Sequence, residues 1–194
     1  SLVCLGLSGP PSHVEYMTDE TDAVEYVTPS KSYLRRRLQV MDPYAFEEFI
    51  ADVWEHLGWH TRTVGKPGDR GIDVIATSSD EKQLIQAKRY GPNTTVGSPE
   101  VQQYASLRIQ EDDVDTVTIV TTGEFTSQAE DLAPDLNVLL IDGEDLLGIL
   151  EEIEAFDVFA EHFDDITVGT PETTPAADQN DSTGLVNRIR SWFK

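Results

Sequence analysis

Cysteine occurs once, at Cys4, in a chain of 194 residues, so no intrachain disulfide and no cysteine-based zinc cluster can form. Lysine is also scarce: five Lys and nine Arg stand against 36 Asp and Glu, giving a formal charge of −22. That balance opposes a polyanionic partner in dilute salt. It suits a protein adapted to concentrated salt, where a Debye length of roughly 3 Å confines repulsion to immediate neighbours. The acids are spread along the chain rather than gathered in one tail, which favours a halophilic source. No apolar run approaches the roughly 20 residues that a membrane span requires. Residues 2–7 are too short for a signal peptide, and no basic residue precedes them. The expectation is a soluble, cytoplasmic protein without membrane contact. A 39% hydrophobic share with three Trp is enough to build the core of one ordinary domain, with material left over at both ends.

Residues 1–31 are rich in Ser, Thr, Pro, Gly and acids and show no sustained periodicity. Together with a short basic helical piece at 33–38, carrying Arg35, Arg36 and Arg37, they read as a mobile N-terminal extension, 1–40. At Asp42-Pro43 the pattern changes to a helix start, with Asp as N-cap and Pro at N1. Phe46, Phe49, Ile50, Val53, Trp54 and Leu57 follow at helical spacing, and Gly58 closes the helix. Strands are expected at 59–64, 72–77 and 83–89, then a helix capped by Ser98 with Pro99 at N1, running to about Gln110. A strand at 116–121, a short helix with Ser127 and Glu130 at capping-box spacing, a strand at 138–141 and a helix from Gly143 past Leu150 complete a domain over 41–150. The alternation in the second half implies a central mixed sheet covered by helices. Residues 151–194 read as a helix extension, an acidic linker and a short amphipathic tail around Leu185, Ile189 and Trp192.

The constellation with the most chemistry is Asp73 on one strand and Gln86 with Lys88 on the next. Side chains alternate along a strand, so Gln86 and Lys88 share a face, and a short hairpin brings Asp73 to them. A carboxylate, an amide oxygen and an ammonium group suit phosphodiester hydrolysis. The oxygens can hold Mg²⁺, which activates water, and Lys88 can orient that water or balance charge on the phosphate. A neutral Gln is a poor substitute for a second acid. Glu47, on the flank of the first helix's apolar stripe, is the best candidate to supply one, and serves equally well as a solvated helix acid. Asp73 can equally be a turn-end residue or a partner of Arg70, and Gln86 with Lys88 a wet strand face. Residues 60–90 carry six basic residues against four acids in a chain otherwise strongly negative. Basic residues gathered there suggest a phosphate-facing patch.

The order of these pieces resembles the Mrr-type branch of the restriction-endonuclease-like, PD-(D/E)XK, superfamily over about 41–148. The resemblance rests on Phe46-Glu47, Leu57-Gly58-Trp59, Gly68-Asp69-Arg70-Gly71-Ile72-Asp73-Val74 and Gln86-Ala87-Lys88-Arg89-Tyr90. It continues through Val120-Thr121-Thr122-Gly123 with Phe125-Thr126, and Leu140-Ile141-Asp142-Gly143. It implies a three-layer α/β/α fold around a mixed sheet. Asp73 becomes a metal ligand, Gln86 stands where the acid of D/E-x-K would be, Lys88 is the catalytic lysine and Glu47 the helix acid. It further implies Mg²⁺, with Mn²⁺ able to substitute, and cleavage of DNA in restriction of foreign or modified DNA. DNA contacts are expected from Lys66, Arg70, Arg89 and Gln102, the last serving equally as a solvated helix residue. Double-strand cleavage commonly takes two sites, so a homodimer is also an expectation. The competing readings are a non-catalytic DNA-binding or regulatory module on this fold, and a nuclease for RNA or repair intermediates.

Overall fold

Local signals set the first elements of the computed structural model, which describes residues 30–64, 71–153 and 155–163. Ser30 caps α1 (Lys31–Val40) by accepting from Tyr33 N. Asp42 Oδ1 accepts from Tyr44 N and Ala45 N at 2.9 and 3.2 Å, and Pro43 opens α2 (Pro43–His56). The chain leaves α2 through Gly58 at φ +92°, a left-handed position that glycine adopts without a Cβ penalty. There follow β1 (His60–Thr63), β2 (Val74–Thr77), β3 (Lys82–Lys88), β4 (Thr95–Val96), α3 (Ser98–Ala105), β5 (Thr116–Thr121), β6 (Glu124–Phe125), α4 (Ser127–Leu132), β7 (Val138–Ile141), α5 (Gly143–Glu152) and α6 (Phe156–His162).

The main sheet runs β1-β2-β3-β5-β7, antiparallel across β1, β2 and β3 and parallel across β3, β5 and β7. Helices cover both faces, as expected for the three-layer α/β/α arrangement. Alternation along β3 assigns the faces. Ile85 and Ala87 enter the larger apolar layer with Phe46, Phe49, Trp54, Ile141 and Leu150, whereas Leu84 enters the smaller one with Val101, Leu107 and Ile119. The larger layer extends beyond 41–150 in both directions. Leu34 and Leu38 of α1 are buried in it, and Phe159 of α6 packs against Phe49 with the rings tilted and centroids 5.1 Å apart.

Several details depart from the sequence expectation. The N-cap of α3 is Gly97 rather than Ser98: its N–H donates to Glu100 Oε2 at 2.9 Å, and the helix gives way to a 3-10 turn at Ser106–Ile109. The cap of α4 is Thr126 rather than Ser127, since Thr126 Oγ1 accepts from Ala129 N. β4 and β6 form a two-stranded parallel sheet beside the main one. The expected N-terminal extension before residue 30 and the tail at 185–193 lie outside the described residues.

Candidate active site

Asp73 stands one residue before β2, with its backbone already on the ladder. Its N–H donates to Ile85 O at 3.1 Å, and its carbonyl accepts from Val64 N at 2.8 Å. Val74 pairs with Ile85, which sets Asp73 opposite Gln86. Both side chains are buried, Asp73 at 7% exposure and Gln86 at 2%. Asp73 Oδ2 accepts from Gln86 Nε2 and from Ala87 N, the latter at 2.8 Å. The other end of the amide is not satisfied: Gln86 Oε1 is buried and accepts no hydrogen bond. Gly71, at φ +87°, lies beside it, and a Cβ there would stand 3.5 Å from that oxygen.

Lys88 follows Gln86 on the same face, half-buried at the end of β3. Its ammonium sits over the Tyr104 ring of α3, 4.9 Å from the centroid. Tyr104 was not among the sequence candidates, because a cation–π contact between a strand end and a distant helix leaves no trace in spacing. The strand end itself is pinned from β5. Thr121 Oγ1 and Thr122 N both donate to Lys88 O, at 3.0 and 3.2 Å. Thr122 Oγ1 accepts from Tyr90 N and donates to Tyr90 O. Tyr90 in turn donates to Glu100 Oε1 at 3.0 Å. Burial first, then the bond to Glu100 and its charge, push the Tyr90 phenol up to about 12.

Glu47 is half-buried on α2, the helix that covers the Ile85 and Ala87 face, opposite to the face of Gln86 and Lys88. Trp54, late in α2, donates to Gln83 near the start of β3, so the earlier turns of the helix, with Glu47, lie toward the Lys88 end. Among the described residues no group of three or more His, Cys, Asp or Glu is placed to hold a metal ion. The donor set at the strand ends is therefore one carboxylate and one amide oxygen. Arg89 turns toward α1 and donates to Gln39 O at 3.4 Å. Gln102 is exposed on α3. Lys66 and Arg70 lie outside the described residues.

Among the described residues, the basic stretch at 60–90 is divided. Lys82 opens β3 and Lys88 ends it, six residue steps that carry them about 20 Å apart. Lys82 is occupied at the far edge by Glu111 and the Asp112 carbonyl, at 2.9 and 3.0 Å. Proximity in sequence becomes separation in space when the residues between them are a strand.

A mixed sheet that joins a buried acid, a buried amide and a lysine at the ends of adjacent strands defines a fold of the restriction-endonuclease type. Residues 38–150 match the family model Mrr_cat, described as restriction endonuclease, and the chain belongs to that family. Among solved structures, the MspJI restriction endonuclease in complex with a 27-mer oligonucleotide is similar at 20% identity and TM-score 0.52, covering 81% of this chain and 38% of that one. The DNA modification-dependent restriction endonuclease AspBHI is similar at 19% identity and TM-score 0.53, covering 75% of this chain and 45% of that one. The chain thus spans less than half the length of either. No curated protein matches it. Among the described residues, no helix is long and apolar enough to cross a membrane.

Proposed function

We propose that the chain is a Mg²⁺-dependent endonuclease that hydrolyses DNA phosphodiester bonds in restriction of foreign or modified DNA. The observation that carries this reading is the orphaned Gln86 Oε1 beside the Asp73 carboxylate. A buried amide oxygen without a donor is costly, and a cation beside it supplies what the protein does not. Asp73 would hold Mg²⁺, or Mn²⁺ in its place, together with Gln86 once its amide turns to put Oε1 where Nε2 now meets the carboxylate. Glu47, the third ligand expected from the sequence, sits on the helix that covers the opposite face. The bound ion would polarise the phosphate and lower the pKa of the attacking water.

The protein's own part is positional. Burial and the Ala87 N–H hold the Asp73 carboxylate in one orientation at the strand end. Lys88, carried on the Tyr104 ring, presents a cation on the same face to orient the nucleophile or balance charge building on the phosphate. The oligonucleotide in the MspJI complex supports DNA as the partner. Cleavage of both strands takes two such sites, which a homodimer supplies.

Plasmid nicking with Mg²⁺ or with chelator tests the reading. Asp73→Ala and Lys88→Ala are each expected to abolish nicking while thermal unfolding stays cooperative. Unchanged cleavage by either variant removes this active site.

A further inference from the structure

The chain carries −22, yet α1 holds four of its 14 basic residues (Lys31, Arg35, Arg36 and Arg37) and no acid. Lys31 pairs with Glu151 at 2.6 Å, Arg37 lies 4.8 Å over the Phe163 ring, and Arg36 is exposed. Arg35 is held less firmly. Its Nη2 stands 3.4 Å from Oε1 of Glu124, whose side chain is 67% exposed. That is the outer limit of a hydrogen bond. Its Nε is buried and donates to nothing.

Arg35 forms one wall of a pocket of about 270 Å³ that also meets Gln39, Asn93, Thr94, Gly123 and Glu124. The pocket sits beyond the carboxyl ends of the parallel strands β3 and β5, where open α/β sheets take their ligands. Its shape depends on two glycines. A Cβ on Gly123 would stand 2.3 Å from Thr94 O, and one on Gly143 would stand 2.7 Å from Thr122 O and 3.3 Å from Arg35 Nε. Gln39 Nε2 donates to Thr122 O at 3.2 Å and ties the end of α1 to the same strand end. The loop through Asn93 and Thr94 leaves β3 a few residues after Lys88. The pocket therefore lies at the same end of the sheet as Lys88.

We infer that this pocket is a subsite for a backbone phosphate of the polynucleotide substrate, and that Glu124 occupies Arg35 until the phosphate displaces it. The inference rests on the nuclease reading above. The Arg35 guanidinium, whose Nη2 is held only at 3.4 Å by an exposed carboxylate, forms with the Asn93 amide and the Thr94 hydroxyl a donor set for a phosphate oxygen. Such contacts position a duplex without reading its sequence. Glu124 acts as a stand-in anion, which lowers affinity for any ligand that cannot displace it.

Anisotropy of a fluorescein-labelled DNA duplex, titrated with the protein in chelator over a salt series, tests this without cleavage. Arg35→Gln is expected to weaken binding about tenfold and reduce the slope of log affinity against log salt by about 0.9. Arg35→Lys should keep that slope. Glu124→Gln is expected to tighten binding several-fold, opposite in sign to Arg35→Gln. If the Arg35–Glu124 contact served only structure, both variants would lose the same pair and shift together. Shifts of the same sign, or none, with the unaltered chain binding normally, would overturn this inference alone. No binding by the unaltered chain would overturn it together with the nuclease reading.

Discussion

Replacing Gln86 by Glu puts the metal dependence of the site into a stability measurement. In the structure Gln86 donates to a buried carboxylate, and its oxygen accepts nothing. Gln86→Glu removes an amide donor to a charged acceptor, a bond worth about 1.5–3 kcal/mol. It also faces one buried carboxylate with another, at positions only 7% and 2% exposed, where like charges cannot both be solvated. A deficit of about 3–5 kcal/mol without metal follows, which at this chain length lowers Tm by roughly 10 °C. Mg²⁺ reverses the sign of the local problem, since two carboxylates then share one cation. At a hundred times the variant's Kd the ion adds about 2.7 kcal/mol, and the gap narrows because the unaltered chain, with one carboxylate instead of two, binds it more weakly and gains less. Thermal unfolding of both proteins in chelator and in excess Mg²⁺ measures all four terms. The reasoning is refuted if Gln86→Glu matches the unaltered chain in chelator, or if Mg²⁺ leaves the gap unchanged.

Tyr104→Leu is expected to lower kcat for nicking about three- to tenfold with KM unchanged, because it removes the ring that carries Lys88. Tyr104→Phe keeps the ring and should keep the rate, whereas a general packing role would leave Leu and Phe nearer each other. Phe159→Ala should cost about 3–5 kcal/mol in urea denaturation, since the side chain is fully buried against Phe49. A loss under about 1 kcal/mol would remove α6 from the core. Tyr90 should titrate at about 12 against a reference of 10.0, seen as the tyrosinate absorbance missing from Tyr90→Phe. Its folded pKa is raised, so its contribution to stability is complete below pH 10 and lost as pH rises through about 12.

Much of the frame was legible because local rules specified it. Asp42-Pro43 and the stripe from Phe46 to Leu57 gave α2, and strand alternation placed Gln86 and Lys88 on one face. The caps at Gly97 and Thr126 were missed by one residue because neighbouring Ser residues satisfy the same pattern, and only the hydrogen bonds decide between them. The pairing of β4 with β6 involves two residues per strand, too few to show a period. Among the described residues the charge cluster at 60–90 divides for a geometric reason: Lys82 and Lys88 are separated by the strand that joins them. Thr121, Thr122 and Gly123, which enter the sequence reading only through the family resemblance, hold the end of β3 and shape the Arg35 pocket. The orphaned Gln86 oxygen, the Tyr104 ring beneath Lys88 and the α2 face that carries Glu47 are tertiary facts. No spacing within a segment encodes them.

Crystals grown with Mn²⁺ and a DNA duplex, with the metal located by its anomalous scattering, address the central claim directly. A peak is expected in contact with both the Asp73 carboxylate and Gln86 Oε1, with the Gln86 amide turned to present that oxygen. Mn²⁺ bound elsewhere, or Gln86 still donating to Asp73 with no ion between them while DNA is bound, would contradict it.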